Sequence, residues 1–255
     1  MLQTTKLQTD KGEAAIVISR SAVSPYVIVC EHAGFAIPGA LGNLGLSASE
    51  LQSHVAWDPG AAAVAEMLAD NLSGTLVKQR YSRLVYDCNR PPSSPDAMRD
   101  LSEDTIIAGN QNLSDEEKHW RTQNIYEAFH ASVAEQLNRR TNPVMITVHS
   151  FTPVYKGVYR DVDVGILHDE DARLGDSMLA VAQFDEGVLV RRNEPYGPQD
   201  EVTHTLVKHG QGGKVLNVMI EIKNTLIADE KSQRHYAGQL AETIKTAVGK
   251  ITATE

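Results

Sequence analysis

The chain has 255 residues, enough for one substantial hydrophobic core and near the upper size of a single α/β domain. Its net charge of −9 argues against nucleic acid or an anionic membrane as the main partner, because either would call for clustered Lys and Arg side chains. The amino terminus lacks the basic and apolar regions of a signal peptide, and no apolar run is long enough to span a bilayer. We therefore expect one domain over residues 1–255 in a soluble, cytoplasmic protein.

Short apolar runs alternate with longer amphipathic segments along the chain. The predicted strands are residues 15–19, 26–31, 75–79, 83–86, 144–148, 163–167, 188–191 and 215–222. Their alternation with helical patterns predicts an α/β fold, in which helices flank a mostly parallel or mixed sheet in three layers.

Capping signals mark the starts of two of the predicted helices. Asp58 followed by Pro59 predicts the N-cap and first residue of one helix, and Ser114 with Glu117 predicts a capping box for a segment that ends near Arg140. Further helices are predicted at 172–184, 201–208 and 228–248.

Three apolar strands end in residues that can carry chemistry. The run VIVC is followed by Glu31 and His32, VMITV by His149, and VLNVMI by Glu221. Because the carboxyl ends of parallel strands lie along one edge of a sheet, these side chains are expected to meet there. Asp58 would join them, since a helix that follows a strand starts at the same edge.

Two imidazoles and one carboxylate are the ligand set of a catalytic zinc ion, with water as the fourth ligand. We predict one Zn²⁺ per chain, held by His32, Asp58 and His149. Each histidine could instead be a hydrogen-bonded structural residue, and Asp58 could be only a helix cap. Glu31 and His54 are the alternatives to Asp58 as third ligand.

Glu221 is the predicted general base. Zinc lowers the pKa of a bound water molecule to about 7, and a nearby carboxylate that is not a ligand can then take its proton. The alternative is that Glu221 is a charge at the strand end that pairs with Lys223 or with an arginine.

A second group of polar residues lies in RYSRLVYDCNRPP, residues 80–92. Arg83, Asn89 and Arg90 supply the forked and amide donors that grip a carboxylate and polarise a carbonyl, and Asp87 would orient one of them. Arg83 is the predicted oxyanion stabiliser, and Asn89 and Arg90 are predicted to bind substrate. The alternative is an Arg-rich hairpin that only solvates a sheet edge.

Residues 191–210 contain Gly-Pro turn signals followed by two histidines. This segment could form a pocket wall, with Tyr196 and His204 as candidate substrate-binding residues, or simply a turn and a capped helix. Cys30 and Cys88 each lie in an apolar segment, which predicts buried, reduced thiols. The signatures of serine hydrolases, P-loop NTPases and Rossmann dehydrogenases are missing from the sequence.

Taken together, these motifs resemble the N-formylglutamate amidohydrolase family. The matching landmarks, in order, are EHAGFAIP, WDPGA, RYSRLVYDCNRP, VMITVHSF, NEPYG and HG before VLNVMIEIKN. The resemblance implies a zinc-dependent amidohydrolase with a zinc carboxypeptidase-like fold that acts on the acyl amide of an N-acyl amino acid. The arrangement of Arg83, Asp87, Asn89 and Arg90 is also similar to that of aspartoacylases, where such donors hold the substrate.

The family resemblance makes N-formyl-L-glutamate, cleaved to formate and L-glutamate in amino-acid degradation, the leading small-molecule substrate. The chain reads EHAG where the histidine-pathway enzyme typically reads PHSG, so the substrate is not fixed by the motifs. The alternatives are an amidase for N-acyl-aspartate or a peptidoglycan fragment, and a non-catalytic protein that binds a carboxylate ligand.

Overall fold

The computed structural model describes residues 14–253. The strands are β1 Ala15–Ser19, β2 Tyr26–Cys30, β3 Thr75–Gln79, β4 Leu101–Ser102, β5 Thr105–Ile106, β6 Val144–Phe151, β7 Val154–Tyr155, β8 Val158–Tyr159, β9 Val164–Leu167, β10 Val190–Arg192 and β11 Leu216–Lys223. The α-helices are α1 Ala48–Leu51, α2 Ala61–Asn71, α3 Asp115–Arg121, α4 Ala128–Asn138, α5 Arg173–Val181, α6 His204–Gly210 and α7 Glu230–Thr252. A π-helix, Thr122–Glu127, joins α3 to α4.

Seven strands form one sheet in the order β1-β3-β2-β6-β11-β9-β10. The four central strands, β3, β2, β6 and β11, are parallel to one another. β1 and β9 pair antiparallel with their neighbours β3 and β11. The predicted α/β fold with a mostly parallel sheet is therefore confirmed, and the carboxyl ends of the central strands lie along one edge.

The sheet is buried on both faces. Alternate residues of β2 belong to different core clusters: Ile28 and Cys30 pack on the face that α2, α5 and α7 cover, and Val27 and Val29 pack on the other face with residues of α4. This burial explains why the central strands read as continuous apolar runs rather than as alternating patterns. Cys30 and Cys88 are both buried free thiols, as predicted.

Two local predictions are wrong. Residues 83–86 form turns rather than a strand, because the amides of Ser82 and Arg83 donate to the carbonyls of Ala36 and Ala56 instead of to a neighbouring strand. Helix α2 begins at Ala61 with Gly60 as its N-cap, so Asp58 is not the cap.

The capping box of Ser114 and Glu117 at the start of α3 is present as predicted. Over residues 14–253, no helix combines the length and the apolar composition that crossing a membrane requires.

Candidate functional site

The sheet brings the predicted strand-end residues together. His149 lies in β6, between β2, which His32 follows, and β11, which carries Glu221. Glu221 is the direct register partner of His149. Asp58 is held beside them by its backbone amide, which donates to the carbonyl of His32 at 3.0 Å.

His32, Asp58 and His149, here called the convergent cluster, point three potential ligand atoms at one spot. Asp58 Oδ2 lies 3.3 Å from His32 Nδ1 and 3.0 Å from His149 Nδ1, and the two Nδ1 atoms are 3.2 Å apart. All three side chains are buried. In the part of the chain that the structure describes, this is the group of His, Cys, Asp or Glu side chains that could hold a metal ion.

A carboxylate stands behind each histidine of the convergent cluster. His32 Nε2 lies 2.7 Å from Asp87 Oδ1, and His149 Nε2 lies 3.2 Å from Glu31 Oε2. Asp87 accepts a hydrogen from His32 Nε2, which leaves His32 Nδ1 toward Asp58. Two ring nitrogens and one carboxylate oxygen converge on one spot, where a cation, either a metal ion or a shared proton, stabilises them. The donor set, two imidazoles and one carboxylate, fits a catalytic zinc ion.

The surroundings of the convergent cluster favour positive charge. Burial alone would lower the pKa of His149, but Glu31 and Asp58 raise it well above its usual value. Burial alone would raise the pKa of Asp58, but His32 and His149 hold it far below its usual value. The negative potential that raises the pKa of His149 would also stabilise a divalent ion placed between the three side chains.

Glu221 borders the cavity beside the convergent cluster and is buried. Burial raises its pKa to about 7. Its Oε2 atom has no hydrogen-bond partner among residues 14–253. The alternative pairing with Lys223 is wrong, because Lys223 Nζ lies 2.7 Å from Asp163 Oδ1. Glu221 is thus a carboxyl group near neutrality that is free to exchange a proton.

Arg83 reaches the same site. Its Nη1 donates to Asp58 Oδ1 at 3.3 Å and its Nη2 donates to Asp87 Oδ2 at 3.1 Å. Asp87 therefore orients both an arginine and His32. Arg83 is only partly buried and lines the cavity, so the rest of its guanidinium faces the space where a substrate would lie.

Asn89 and Arg90 also line the cavity. Asn89 accepts a hydrogen bond from the amide of Thr205 at 3.1 Å and donates to the carbonyl of Val202. Arg90 donates from Nη1 to the carbonyl of Glu201, and its buried Nε has no partner among the described residues. Within residues 14–253, Arg90 makes no ion pair with a carboxylate, which leaves a buried cation facing the cavity.

The remaining candidates divide into residues at the cavity and residues away from it. Tyr196 lines the cavity, as does His54, which pairs with Glu103 at 2.7 Å and does not join the convergent cluster. His204 is not among the residues that line it, so the structure does not bring this side chain to the predicted substrate site. Its Nε2 lies 2.8 Å from the hydroxyl oxygen of Tyr126 on the π-helix.

Two hairpins complete the cavity, which has a volume of about 140 Å³. The β4–β5 hairpin contributes Ser102 and Glu103, and the loop and strand after β6 contribute Thr152 and Tyr155. The sequence analysis did not identify these residues as part of the site. They lie on connections whose path depends on tertiary packing, so the local sequence carried no signal for them.

A profile of the N-formylglutamate amidohydrolase family matches residues 24–228. The chain belongs to the N-formylglutamate amidohydrolase family. The match spans the convergent cluster, Glu221 and all the arginines discussed above, and it confirms the resemblance drawn from the motifs. Family membership makes the chain a hydrolase of the amidohydrolase type.

Two solved structures share the fold of this chain. The gene product Atu2144 from Agrobacterium tumefaciens is 51% identical with a TM-score of 0.91, over 94% of this chain and 97% of that chain. The N-formylglutamate amidohydrolase from Ralstonia eutropha JMP134 is 18% identical with a TM-score of 0.58, over 91% of this chain and 98% of that chain. The second likeness shows the fold alone. No curated protein matches the chain significantly.

Proposed function

We propose that this family member is a zinc-dependent amidohydrolase that cleaves the acyl amide of an N-acyl amino acid, with N-formyl-L-glutamate as the leading substrate. The observation that carries the proposal is the convergent cluster beside Glu221. Two imidazole nitrogens and one carboxylate oxygen meet there, and each imidazole is backed by a second carboxylate. His32, Asp58 and His149 are the proposed ligands of one Zn²⁺ per chain.

A zinc ion in this position would polarise the acyl carbonyl and lower the pKa of a water molecule. Glu221 accepts a proton from the attacking water and delivers it to the leaving amine, because its carboxyl group borders the cavity and titrates near neutrality. Arg83 stabilises the oxyanion that develops on the acyl oxygen. Its contacts with Asp58 and Asp87 keep the guanidinium in place for that task.

The substrate carboxylate binds at Arg90. Arg90 lines the cavity without a carboxylate in ion-pair contact among residues 14–253, and a carboxylated ligand supplies the missing charge. Asn89 keeps one amide hydrogen available after its bond to Val202, and Tyr196 adds a hydroxyl group on the same cavity. These groups favour a small N-acyl amino acid over a macromolecular substrate.

The test is hydrolysis of a substrate panel by zinc-loaded protein. The panel is N-formyl-L-glutamate, N-formyl-L-glutamine, N-acetyl-L-aspartate and N-acetylmuramoyl-L-alanine. We expect the highest kcat/KM for N-formyl-L-glutamate, and loss of activity on chelation that Zn²⁺ restores. If another compound in the panel has the highest kcat/KM, the protein is still an amidohydrolase, but N-formyl-L-glutamate is not its preferred substrate. Tight binding of the panel compounds without hydrolysis would contradict the proposed enzymatic activity and would indicate a protein that only binds carboxylated ligands.

A further inference from the structure

One wall of the cavity rests on a single side chain that does not line the cavity. Phe151, Thr152, Tyr155 and Tyr196 all border the cavity, and they come from two segments more than 40 residues apart. Arg160 lies behind them and contacts all four. Arg160 therefore connects the two segments of the wall.

The guanidinium of Arg160 packs among aromatic rings. Its central carbon lies 4.7 Å from the ring centroid of Tyr196, 4.6 Å from that of Tyr155 and 5.7 Å from that of Phe151. The backbone of Arg160 is fixed as well, because its amide donates to the carbonyl of Pro153 at 2.9 Å. Within the described chain, Arg160 forms no ion pair with a carboxylate. Its charge is stabilised mainly by the faces of the rings.

Arg160 also bonds to the hydroxyl group of one of these rings, Tyr196. Its Nη2 donates to the hydroxyl oxygen of Tyr196 at 2.6 Å, while Nη1 donates to the carbonyl of Thr152 at 3.3 Å. Because the Tyr196 oxygen accepts a hydrogen from Arg160, its own hydrogen points away from the guanidinium and is available for donation elsewhere. Donation from a cation also makes a hydroxyl group a stronger donor.

We propose that Arg160 is a positioning residue that acts through Tyr196, fixing its hydroxyl hydrogen as a donor to an oxygen of the N-acyl amino acid. This inference rests on the proposed function for its ligand. Arg160 does not touch the substrate itself. Arg90 remains the residue that binds the substrate carboxylate. Arg160 orients the Tyr196 hydroxyl group and strengthens it as a hydrogen-bond donor.

A double-mutant cycle tests the coupling: Arg160→Met, Tyr196→Phe and the double variant, with KM and kcat measured on N-formyl-L-glutamate. Losing one hydrogen bond of about 1.4 kcal/mol corresponds to a tenfold change in binding. We expect each single variant to raise KM by about five- to tenfold, with a smaller change in kcat. The double variant should be no worse than Tyr196→Phe alone, and Arg160→Lys should recover part of the loss.

Arg234→Met is the matched control, because Arg234 is an exposed arginine that pairs with Glu230 on α7. It should leave KM and kcat unchanged. Losses that multiply in the double variant would overturn the inference, since Arg160 would then act independently of Tyr196. An unchanged KM in Arg160→Met, or a loss of zinc and thermal stability beyond that of the control, would also overturn it.

A readout without turnover separates this inference from the proposed function. In protein with ¹³Cζ-labelled tyrosine, the Tyr196 signal is assigned by its absence in Tyr196→Phe. We expect it to shift in Arg160→Met and not in Arg234→Met. A shift in a protein that hydrolyses no N-acyl amino acid would support the contact and refute the function. An unshifted signal in an active amidohydrolase would refute the contact alone.

Discussion

The protein contains two clusters of histidines, and the groups that contact the rings make the two clusters chemically different. In the convergent cluster, Asp87 and Glu31 stand behind the two rings and Asp58 lies between them. The second group, the three-histidine cluster, is formed between α4 and α6. Its members are His130, His204 and His209.

The three-histidine cluster is bonded to neutral groups. His130 Nε2 donates to the carbonyl of Cys88 at 2.8 Å, so His130 Nδ1 accepts from His209 Nε2 at 2.9 Å. His204 is bonded to the hydroxyl group of Tyr126. In the described residues, none of these three histidines forms an ion pair with a carboxylate, and burial is the largest cause of each pKa shift.

The difference appears in the pKa values. Burial, with His209 contributing, lowers the pKa of His130 to about 3. Burial, with Lys208 contributing, lowers the pKa values of His204 and His209 to about 4, although Glu31 acts on both in the opposite direction. In the convergent cluster, carboxylates overcome burial and raise the pKa of His149. Proximity of imidazoles is therefore not enough to make a metal site. The carboxylates that set the ring orientation and the local potential decide which cluster favours a cation.

The largest effect should come from removing one ring from each cluster. His149→Ala removes a proposed ligand, so zinc content should fall from one ion per chain to near zero, and activity should be lost with it. His209→Ala should keep full zinc content. Elemental analysis after dialysis against metal-free buffer measures both. Full zinc in His149→Ala, or loss of zinc in His209→Ala, would reverse the assignment of the two clusters.

Removing a backing carboxylate should have an intermediate effect. Asp87→Asn keeps the side-chain shape but weakens the acceptor that fixes the ring of His32. Such partners typically account for about 10- to 100-fold in metal affinity. Competition with a fluorescent chelator measures this affinity. Asp163→Asn, which breaks a carboxylate–lysine pair outside the cluster, is the control. Equal affinity in Asp87→Asn and wild type would show that the carboxylate does not support the site.

The smallest effect concerns the pH dependence of stability. Histidines in unfolded chains titrate near pH 6.5, whereas those of the three-histidine cluster titrate at about 3 to 4 in the fold. Below about pH 6.5 the unfolded chain takes up protons that the folded chain does not. The contribution of these histidines to the free energy of unfolding should therefore be fully present above pH 6.5 and fall as the pH decreases toward 4.

His209→Gln should make this decrease shallower, by up to about 1.4 kcal/mol per pH unit for one histidine. Urea unfolding at several pH values between 4 and 7 measures the slope. His119→Gln, at an exposed position on α3, should leave the slope as in wild type. Identical slopes in the two variants would show that His209 is not held neutral by the fold.

The strands were the part of the fold that local patterns could predict. β1 and β3 have the predicted bounds, and the other strands of the main sheet begin and end within a few residues of them. Continuous β-branched runs leave few alternatives for a segment that is buried on both faces. The turn at residues 83–86 shows the limit: its apolar residues do belong to the core, but the amide of Arg83 donates to Ala56 and those of Leu84 and Val85 donate to Ser82, rather than to a strand.

The sequence could predict those site residues that are brought together by the geometry of the strands alone. His32, His149 and Glu221 follow from the rule that parallel strands end at one edge. The placement of Glu31 behind His149 rather than on the metal position depends on side-chain packing, and the sequence left it open. Arg160 was missed for a similar reason, since its contacts with Tyr196 join segments whose relative position only the folded chain defines.

The turnover of Glu221→Gln at matched zinc content tests the central claim most directly. Gln keeps the size of the side chain but cannot accept a proton from the attacking water. General acid–base catalysis contributes about 10²- to 10⁴-fold, so kcat should fall by that factor while one zinc ion per chain and substrate affinity are retained. Near-wild-type kcat would contradict the account, and so would loss of zinc together with activity, because Glu221 would then be a ligand rather than the base.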